Sequence, residues 1–231
     1  MTTDTSGHGL ERASPATRDL PELILHGYFR SSAAYRVRIA LHLKALPYRA
    51  QFHHLRRGEH LLPTYRQLNP QGLLPTLEVD GLPLTQSLAI CEYLEERYPS
   101  PALLPADVVM RARVRAFAQV IACDIHPVQN LKVLARLRAL GVSEGDVTAW
   151  ARTTIEEGLA ACATLIATRI DPFCFGDAPS LADLCLVPQL VNARRFGADL
   201  TRWPRLLEIE NRCLELEAFR RAAPEHQPDA E

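Results

Sequence analysis

The sequence predicts an α/β domain followed by an all-helical domain. Residues 23–99 alternate short apolar, strand-like runs with helical patterns. Beyond Pro99, Pro101 and Pro105, strand signals nearly vanish and long amphipathic helical patterns take over. The 231 residues are enough for two domains with sizeable cores, so no metal or disulfide is needed to explain folding.

The α/β part has a predicted order of β-α-β-α-β-β-α. Apolar or alternating runs favour strands, a helical period favours helices, and Asp80-Gly81 is typical of a hairpin turn. The predicted strands lie at 23–28, 49–55 and on both sides of that turn within 76–86, and the predicted helices at 31–44, 60–68 and 86–98.

The second part has four predicted helices, at 107–139, 144–168, 180–197 and 204–222. Ser180 and Asp183 match a capping box at the start of the third helix. The run LCLVPQLV that follows is apolar all round, which predicts the buried centre of this domain.

The predicted organisation has four segments. Residues 1–22 contain no apolar run long enough for a signal peptide or a membrane anchor, and they are expected to form a disordered tail. The α/β domain spans 23–99, a linker 100–106 and the helical domain 107–231.

Charge and cysteine usage exclude several classes of protein. Lys plus Arg number 26 and Asp plus Glu 27, so the net charge of -1 argues against a general affinity for nucleic acid or anionic membranes. The six cysteines have no metal-ligand spacing and most of them lie in apolar stretches, which predicts reduced, packed thiols and no metal site. Reduced thiols favour an intracellular, cytoplasmic location.

Two helix starts are candidate binding positions. Arg30-Ser31-Ser32 joins the first strand to the first helix, where free amides and a hydroxyl can bind an anion or a thiolate. Gln86-Ser87 opens the third predicted helix and can receive a carboxylate in the same way. At both places the serines could equally be simple helix caps.

Leu74-Pro75 precedes a predicted strand. A cis peptide there would turn backbone groups outward, where they could pair with a bound peptide, although most X-Pro bonds are trans.

Taken together, the motifs closely resemble the zeta class of glutathione transferases over residues 23–228. The matching runs are YFRSSAAYRVRIALHLKALPY, LNPQGLLPTLEVDG, LTQSLAICEYLEERYP, LLPAD, ACDIHPVQNLKVL and FGDAPSLADLCLVPQLVNARRFGADL. The resemblance implies a thioredoxin-like N-terminal domain, an all-helical glutathione-transferase C-terminal domain, glutathione as cofactor between them, and a homodimer. The bacterial members of the class are maleylacetoacetate isomerases and maleylpyruvate isomerases.

The resemblance implies roles for individual residues toward the thiol of glutathione. Ser31 and Ser32 match the pair that supports the sulfur. Leu74 matches the residue whose backbone pairs with the cysteinyl part, and Pro75 matches the cis proline.

The resemblance also implies contacts with the two ends of glutathione. Gln86 and Ser87 match the pair that binds the γ-glutamyl group, and His60 falls where the class touches the glycyl end. His126 and Asn130 match residues that reach the same glycyl carboxylate or the substrate.

Substrate binding is implied for two arginines. Arg195 matches a substrate-binding arginine, with Arg194 one position away, and Arg30 is its expected partner. Ala33 stands where many members have a cysteine, so no claim that depends on that thiol applies to this chain.

Four other residues are expected to have structural roles. Arg36 and Arg38 are expected to pair with carboxylates on the exposed face of the first helix. His53 and His54 have no metal-spaced partner and are expected to be sheet or interface residues.

The resemblance implies a glutathione-dependent cis-trans isomerase of a dicarboxylic keto acid. Addition of a thiolate makes a cis double bond single, so that it can rotate before the thiol leaves. The leading hypothesis is conversion of maleylacetoacetate to fumarylacetoacetate in tyrosine and phenylalanine catabolism. The alternatives are maleylpyruvate isomerisation in gentisate degradation, a glutathione-conjugating transferase or peroxidase, and a non-catalytic module on the same fold.

Overall fold

The structure is a computed structural model that describes residues 20–231. The predicted disordered tail, residues 1–22, therefore lies outside the described residues except for its last three. Within the described part of the chain, no helix is both long and apolar enough to cross a membrane.

A four-stranded sheet forms the core of the first half of the chain. The strands are β1 (Leu23–Gly27), β2 (Arg49–Phe52), β3 (Thr76–Val79) and β4 (Leu82–Thr85), in the order β2-β1-β3-β4. β1 is parallel to β2 and antiparallel to β3, and β3 and β4 form the predicted hairpin.

The second predicted strand is shorter than expected. It ends at Phe52, and residues 55–57 form a 3-10 turn instead. The His54 side chain caps this turn by accepting a hydrogen bond from Arg57 N at 3.2 Å. A side-chain acceptor thus ends the strand where the alternating pattern alone predicted continuation.

Three helices belong to the same half of the chain. They are α1 (Ser32–Leu43), α2 (Pro63–Leu68) and α3 (Ser87–Arg97). Each lies inside a predicted helical segment, and α1 follows β1 directly.

Six α-helices follow. They are α4 (Val108–Gln119), α5 (Leu131–Ala139), α6 (Glu144–Leu165), α7 (Leu181–Arg195), α8 (Pro204–Leu214) and α9 (Glu217–Ala222). The two long helices predicted at 107–139 and 204–222 are each broken in the structure, so those predictions were wrong in their continuity.

Local side-chain chemistry accounts for both breaks. After α4 a π-helical segment, Val120–Ile125, leads to Pro127, which has no amide to continue the hydrogen-bond pattern. After α8 the Arg220 guanidinium donates to the carbonyls of Leu214 and Glu215, at 3.0 and 2.6 Å. Those carbonyls therefore have partners without a continuing helix.

Helix α7 is the buried centre of the helical half, as its apolar sequence predicted. The predicted capping box is present, since Asp183 Oδ2 accepts hydrogen bonds from the amide and hydroxyl of Ser180 at 2.8 Å. Asp183 Oδ1 accepts from the Cys174 amide at 2.9 Å. Helix α1 packs against α3 on one side and against α7 and α9 on another, and so connects the sheet to the helical half.

A buried ion pair holds the segment after α3. Lys44 Nζ lies 2.9 Å from Glu95 Oε2 and also donates to the carbonyls of Tyr98 and Pro101. The same carboxylate accepts from the amides of residues 103 and 104. The chain leading to α4 is therefore fixed against the ends of α1 and α3.

Candidate active site

The turn between β1 and α1 places two serines at a helix start. Ser31 is the N-cap of α1, and its Oγ accepts a hydrogen bond from Ala34 N at 3.2 Å. Capping is therefore real, but it uses Ser31 Oγ as an acceptor, so the hydroxyl hydrogen can still be donated. Ser32 is buried, and its Oγ donates to the carbonyl of Pro188 in α7 at 3.4 Å.

Arginines hold the backbone of this turn. Arg38 donates to the carbonyls of Tyr28 and Phe29, at 3.5 and 3.1 Å, and Arg195 Nη1 donates to the carbonyl of Arg30 at 2.9 Å. From the C-terminal end of the chain, Asp229 Oδ2 accepts from the Phe29 amide at 2.9 Å. The three carbonyls that precede Ser31 are thus all occupied by guanidinium donors.

A cluster of positive charge surrounds the same turn. Arg195 lies against the backbone of Arg30, the residue that the resemblance implied as its partner in substrate binding. That shared role stays a prediction. Loss of hydration, with the nearby charges of Arg30 and Arg56, lowers the pKa of Arg195. Arg56 was not predicted from the sequence, because only the fold places the 55–57 turn beside the β1–α1 turn.

The neighbouring arginine has a different role. Arg194 makes a bidentate ion pair with the buried Glu210 on α8, at 2.6 and 2.5 Å. The guanidinium of Arg194 is therefore committed to a structural partner, whereas that of Arg195 lies at the β1–α1 turn.

The expectation for Arg36 and Arg38 was wrong. Their relative exposures are 1% and 4%, and neither forms an ion pair with a carboxylate within residues 20–231. The pattern YRVRIAL suggests an exposed polar stripe, but that stripe is covered because α3, α7 and α9 all pack on α1.

Arg36 connects the two halves of the chain. Its Nη1 donates to Ser87 Oγ at 3.3 Å, and its Nη2 lies 3.5 Å from Nδ1 of His126. Burial of the His126 ring and the adjacent Arg36 charge lower the pKa of His126 to about 3. His126 is therefore neutral at physiological pH.

The start of α3 lies beside an irregular backbone. The Leu74–Pro75 peptide is cis, and no backbone hydrogen bond of Leu74 is present within the described chain. Gln86 has a positive φ of 68° and gives α3 no side-chain cap, while its Nε2 donates to Gln71 Oε1 at 2.8 Å. Ser87 follows as the buried first residue of α3.

Two further predicted residues lie in less distinctive surroundings. Asn130 caps α5, with its side-chain oxygen accepting from Val133 N at 3.1 Å, which leaves its NH₂ group available. His60 is half-buried in a 3-10 turn, and its Nδ1 has no partner among the described residues. No hydrogen bond joins His60 to the other predicted site residues within that part of the chain.

These groups suit a short anionic peptide that carries a thiol. The α1 start offers a hydroxyl and the positive end of a helix dipole, and Leu74 offers unpaired backbone. The α3 start offers Ser87 with a buried guanidinium directly behind it. Glutathione has the matching thiol, peptide backbone and carboxylates, so this donor set fits it.

The mixed sheet, the helical half and this donor set define a glutathione transferase. Residues 30–97 match the family described as glutathione S-transferase, N-terminal domain, and residues 111–209 match glutathione S-transferase, C-terminal domain. The chain belongs to the glutathione S-transferase family, in which it falls in the zeta class.

Two curated relatives are similar over nearly their whole length. Maleylacetoacetate isomerase of Pseudomonas aeruginosa is 50% identical over 208 residues, which cover 89% of this chain and 97% of the relative. Maleylpyruvate isomerase of a Ralstonia species is 48% identical over 211 residues, which cover 89% and 99%.

Solved structures agree with both the fold and the class. A holo maleylpyruvate isomerase, described as a bacterial zeta-class glutathione S-transferase, has a TM-score of 0.88 at 47% identity and covers 90% of this chain and 100% of its own. Maleylacetoacetate isomerase from Anaeromyxobacter dehalogenans, with glutathione bound in its active site, has a TM-score of 0.84 at 45% identity. That match covers 92% of this chain and 99% of the other.

Proposed function

We propose that this protein is a glutathione-dependent cis-trans isomerase that converts maleylacetoacetate to fumarylacetoacetate in tyrosine and phenylalanine catabolism. The observation that carries the proposal is that Arg195 Nη1 donates to the backbone carbonyl of Arg30, which places the Arg195 guanidinium at the turn that leads into Ser31. The Arg30 guanidinium lies over the Phe29 ring of the same turn, and its charge lowers the pKa of Arg195. A substrate with two carboxylates needs two such cations beside a thiol site. The names and identities of the relatives support the same activity.

Glutathione would supply the chemistry, because its thiolate can add reversibly to a cis double bond conjugated to a ketone. Ser31 would donate its hydroxyl hydrogen to the sulfur, since its Oγ is already an acceptor for the Ala34 amide. The positive end of α1 and the nearby arginines favour the thiolate over the thiol, whose free pKa is about 8.5. The hydroxyl of Ser32 already donates to the Pro188 carbonyl, so Ser32 would support the sulfur through its backbone amide at the start of α1.

Arg30 and Arg195 would bind the substrate carboxylates. Guanidinium groups form bidentate, charge-assisted hydrogen bonds with carboxylates, which fix orientation as well as position. A substrate held at both carboxylates has the two ends of its carbon chain fixed, so that the former double bond can turn while the ends stay in place. Arg56 adds a third positive charge close to the same turn.

The remaining predicted residues would hold glutathione itself. Leu74 would pair with the cysteinyl backbone beside the cis Pro75, and Gln86 and Ser87 would bind the γ-glutamyl group. The glycyl end would meet His60 and Asn130, from the two halves of the chain. His126 contacts the same Arg36 guanidinium as Ser87, so it would bind glutathione at the γ-glutamyl end rather than at the glycyl end.

The activity can be tested with both candidate substrates. Purified protein is given maleylacetoacetate or maleylpyruvate with glutathione, and kcat/KM is measured for formation of each trans isomer. We expect conversion of both, with maleylacetoacetate preferred. A preference for maleylpyruvate would instead support the function of the Ralstonia relative, and conversion of neither would refute the isomerase proposal.

Conjugation is a separate outcome of the same assay. A transferase or peroxidase would consume glutathione in proportion to turnover, whereas an isomerase would leave its concentration unchanged. A separate test passes the protein over immobilised glutathione. Failure to bind would support the alternative of a non-catalytic module on the same fold.

We also propose that the protein is a cytoplasmic homodimer, with residues 100–106 linking the two domains of each protomer. All six cysteines are unpaired, which fits a reducing compartment. Exposed Leu82, Val108 and Val109 provide apolar surface for an interface. Light scattering should give twice the protomer mass of 25.8 kDa, and a mass of one protomer would contradict the dimer.

A further inference from the structure

Arg36 is a buried cation without an anionic partner in the described chain. Its relative exposure is 1%, and its Nε has no hydrogen-bond acceptor there. The buried Lys44, by contrast, is paired with Glu95, and Arg38 donates to three backbone carbonyls. An uncompensated buried charge is unfavourable, so it is retained where an incoming anion can compensate it.

In the contact between Arg36 and Ser87, only one assignment of hydrogen-bond donor and acceptor is possible. A guanidinium has only donor hydrogens, so in the 3.3 Å contact Arg36 Nη1 donates and Ser87 Oγ accepts. The hydroxyl hydrogen of Ser87 is thereby directed away from Arg36 and can be donated to another group. Ser87 is the first residue of α3, where the free backbone amides also favour an anion.

In the contact with His126, Arg36 is again the hydrogen-bond donor. Arg36 Nη2 lies 3.5 Å from His126 Nδ1, which can accept only as the unprotonated ring nitrogen. The proton of the neutral ring must then reside on Nε2, which becomes a donor. The lowered pKa of His126, about 3, agrees with a neutral ring.

We propose that Arg36 is a positioning residue, which makes both Ser87 and His126 hydrogen-bond donors and supplies the positive charge that selects an anionic ligand group there. The identity of that group rests on the proposed function, under which the anion at Ser87 is the γ-glutamyl α-carboxylate of glutathione. Arg36 would then act through Ser87 and His126 rather than by touching the reacting atoms.

The donor role of His126 Nε2 can be tested on the ligand-free protein. Nitrogen-15 NMR of the histidine rings, with the His126 signals assigned by their loss in His126→Gln, reports which nitrogen carries the proton. We expect the Nε2-H form in the unmodified protein, and in Arg36→Met a mixed tautomer whose pKa rises toward the ordinary value of about 6.5. A ring protonated on Nδ1, or a spectrum unchanged by Arg36→Met, would overturn the proposal.

The selection of an anion is tested by calorimetric binding. Two ligands are compared, glutathione and an analogue whose γ-glutamyl α-carboxylate is replaced by a carboxamide. We expect Arg36→Met to weaken glutathione binding by about tenfold or more and analogue binding by less than about twofold, because only the carboxylate benefits from the charge. Equal weakening of both ligands, or of neither, would contradict this role.

Two other variants complete the experiment. Arg152→Met makes the same change at an exposed arginine of α6 and should leave both affinities unchanged. Arg36→Lys keeps the positive charge but loses the planar, forked donors of the guanidinium, so its glutathione affinity should lie between those of Arg36→Met and the unmodified protein. If Arg36→Met does not fold, Arg36→Lys takes its place in the comparison. If the unmodified protein does not bind glutathione, the proposed function fails, whereas the NMR result still decides the role of Arg36.

Discussion

At the residue scale, Arg194 and Arg195 are adjacent in sequence but have different partners. Arg194 is bound to the buried Glu210, and Arg195 reaches the carbonyl of Arg30 at the predicted thiol site. Two neighbouring residues of one type therefore give a matched pair of variants, one at the proposed site and one that pairs with a buried carboxylate of the helical half.

Arg195→Ala should impair turnover without preventing glutathione binding. We expect kcat/KM for the cis acid to fall by about 100-fold, because a charge-assisted contact with a carboxylate is lost. The affinity for glutathione, measured by calorimetry, should change by less than about threefold. Equal losses in turnover and in glutathione affinity would place Arg195 in the glutathione site instead.

Arg194→Ala should show the opposite behaviour. Removal of this side chain leaves the buried Glu210 without its cation, so the free energy of unfolding should fall by about 2 kcal/mol. Urea unfolding gives this value, and kcat/KM of the folded variant should stay within about threefold. A folded, fully stable variant that had lost its activity would contradict the division of roles between the two arginines.

The sequence predicted which residues of the site would be polar, but not where all of their side chains would point. Ser31, Ser87 and the Leu74–Pro75 bond could be identified because short motifs place them at helix starts and at a strand start. Arg36 could not, because its burial depends on helices that are far away in sequence. A local pattern contains no information about which face a second domain will cover.

At the element scale, the β1–α1 turn depends on contacts from distant parts of the chain. Arg38 joins this turn to the end of α9, where it donates to the carbonyl of Ala222 at 2.8 Å. Asp229, seven residues after Ala222, accepts a hydrogen bond from the Phe29 amide at 2.9 Å. The geometry of the proposed thiol site is thus tied to residues 222 and 229 near the C-terminal end.

Arg38→Met should therefore destabilise the protein. The carbonyls of Phe29 and Ala222 lose their donor, whereas that of Tyr28 keeps the Ser31 amide. Each unsatisfied group costs about 1 kcal/mol or more, so we expect a loss of about 2 kcal/mol. Urea denaturation measures the change, with Arg113→Met on the exposed side of α4 as the control. Equal stability of the two variants would show that the hydrogen bonds of Arg38 contribute nothing to the free energy of unfolding.

The sheet contains a pH-sensitive contact. His26 on β1 lies 2.6 Å from Glu78 Oε1 on β3 and 2.8 Å from the Nε2 of His53, which follows β2. Burial and the adjacent His26 lower the pKa of His53 to about 4. Its folded-state pKa lies below the unfolded value of about 6.5, so protonation favours the unfolded chain.

Stability should therefore be full above pH 6.5 and decline as the pH falls toward 4. After allowance for the partial exposure of His53, we expect a loss on the order of 1 kcal/mol from this residue between pH 7 and pH 5. Thermal unfolding across this range measures it, and His53→Gln should have a shallower dependence. An identical slope in both proteins would show that another group titrates.

The order of the elements could be read from the sequence, whereas some of their ends could not. Apolar periodicity identified every strand of the sheet and the buried α7. The breaks after α4 and α8 depend on Pro127 and on the Arg220 side chain, which periodicity does not detect. The periodicity of apolar residues thus predicts that a helix is present, whereas individual residues and hydrogen bonds determine where it ends.

At the scale of the whole molecule, a net charge of -1 conceals a strongly uneven distribution. Arg30, Arg56 and Arg195 gather at one turn, and Arg36 lies buried behind the start of α3. The family and fold class could be predicted because the motifs occur in order along most of the chain. The cluster itself could not, because it forms only when β1, the 55–57 turn and α7 meet.

The central claim is that glutathione acts catalytically in a cis-trans isomerisation. In the most direct measurement, the enzyme receives maleylacetoacetate and glutathione, with the glutathione concentration about one-hundredth of the maleylacetoacetate concentration. NMR follows the alkene protons of the substrate and product. We predict complete conversion to the trans isomer, with all of the glutathione recovered as the free thiol. Conversion that stops after one substrate per glutathione, or a product that retains the sulfur, would contradict the claim.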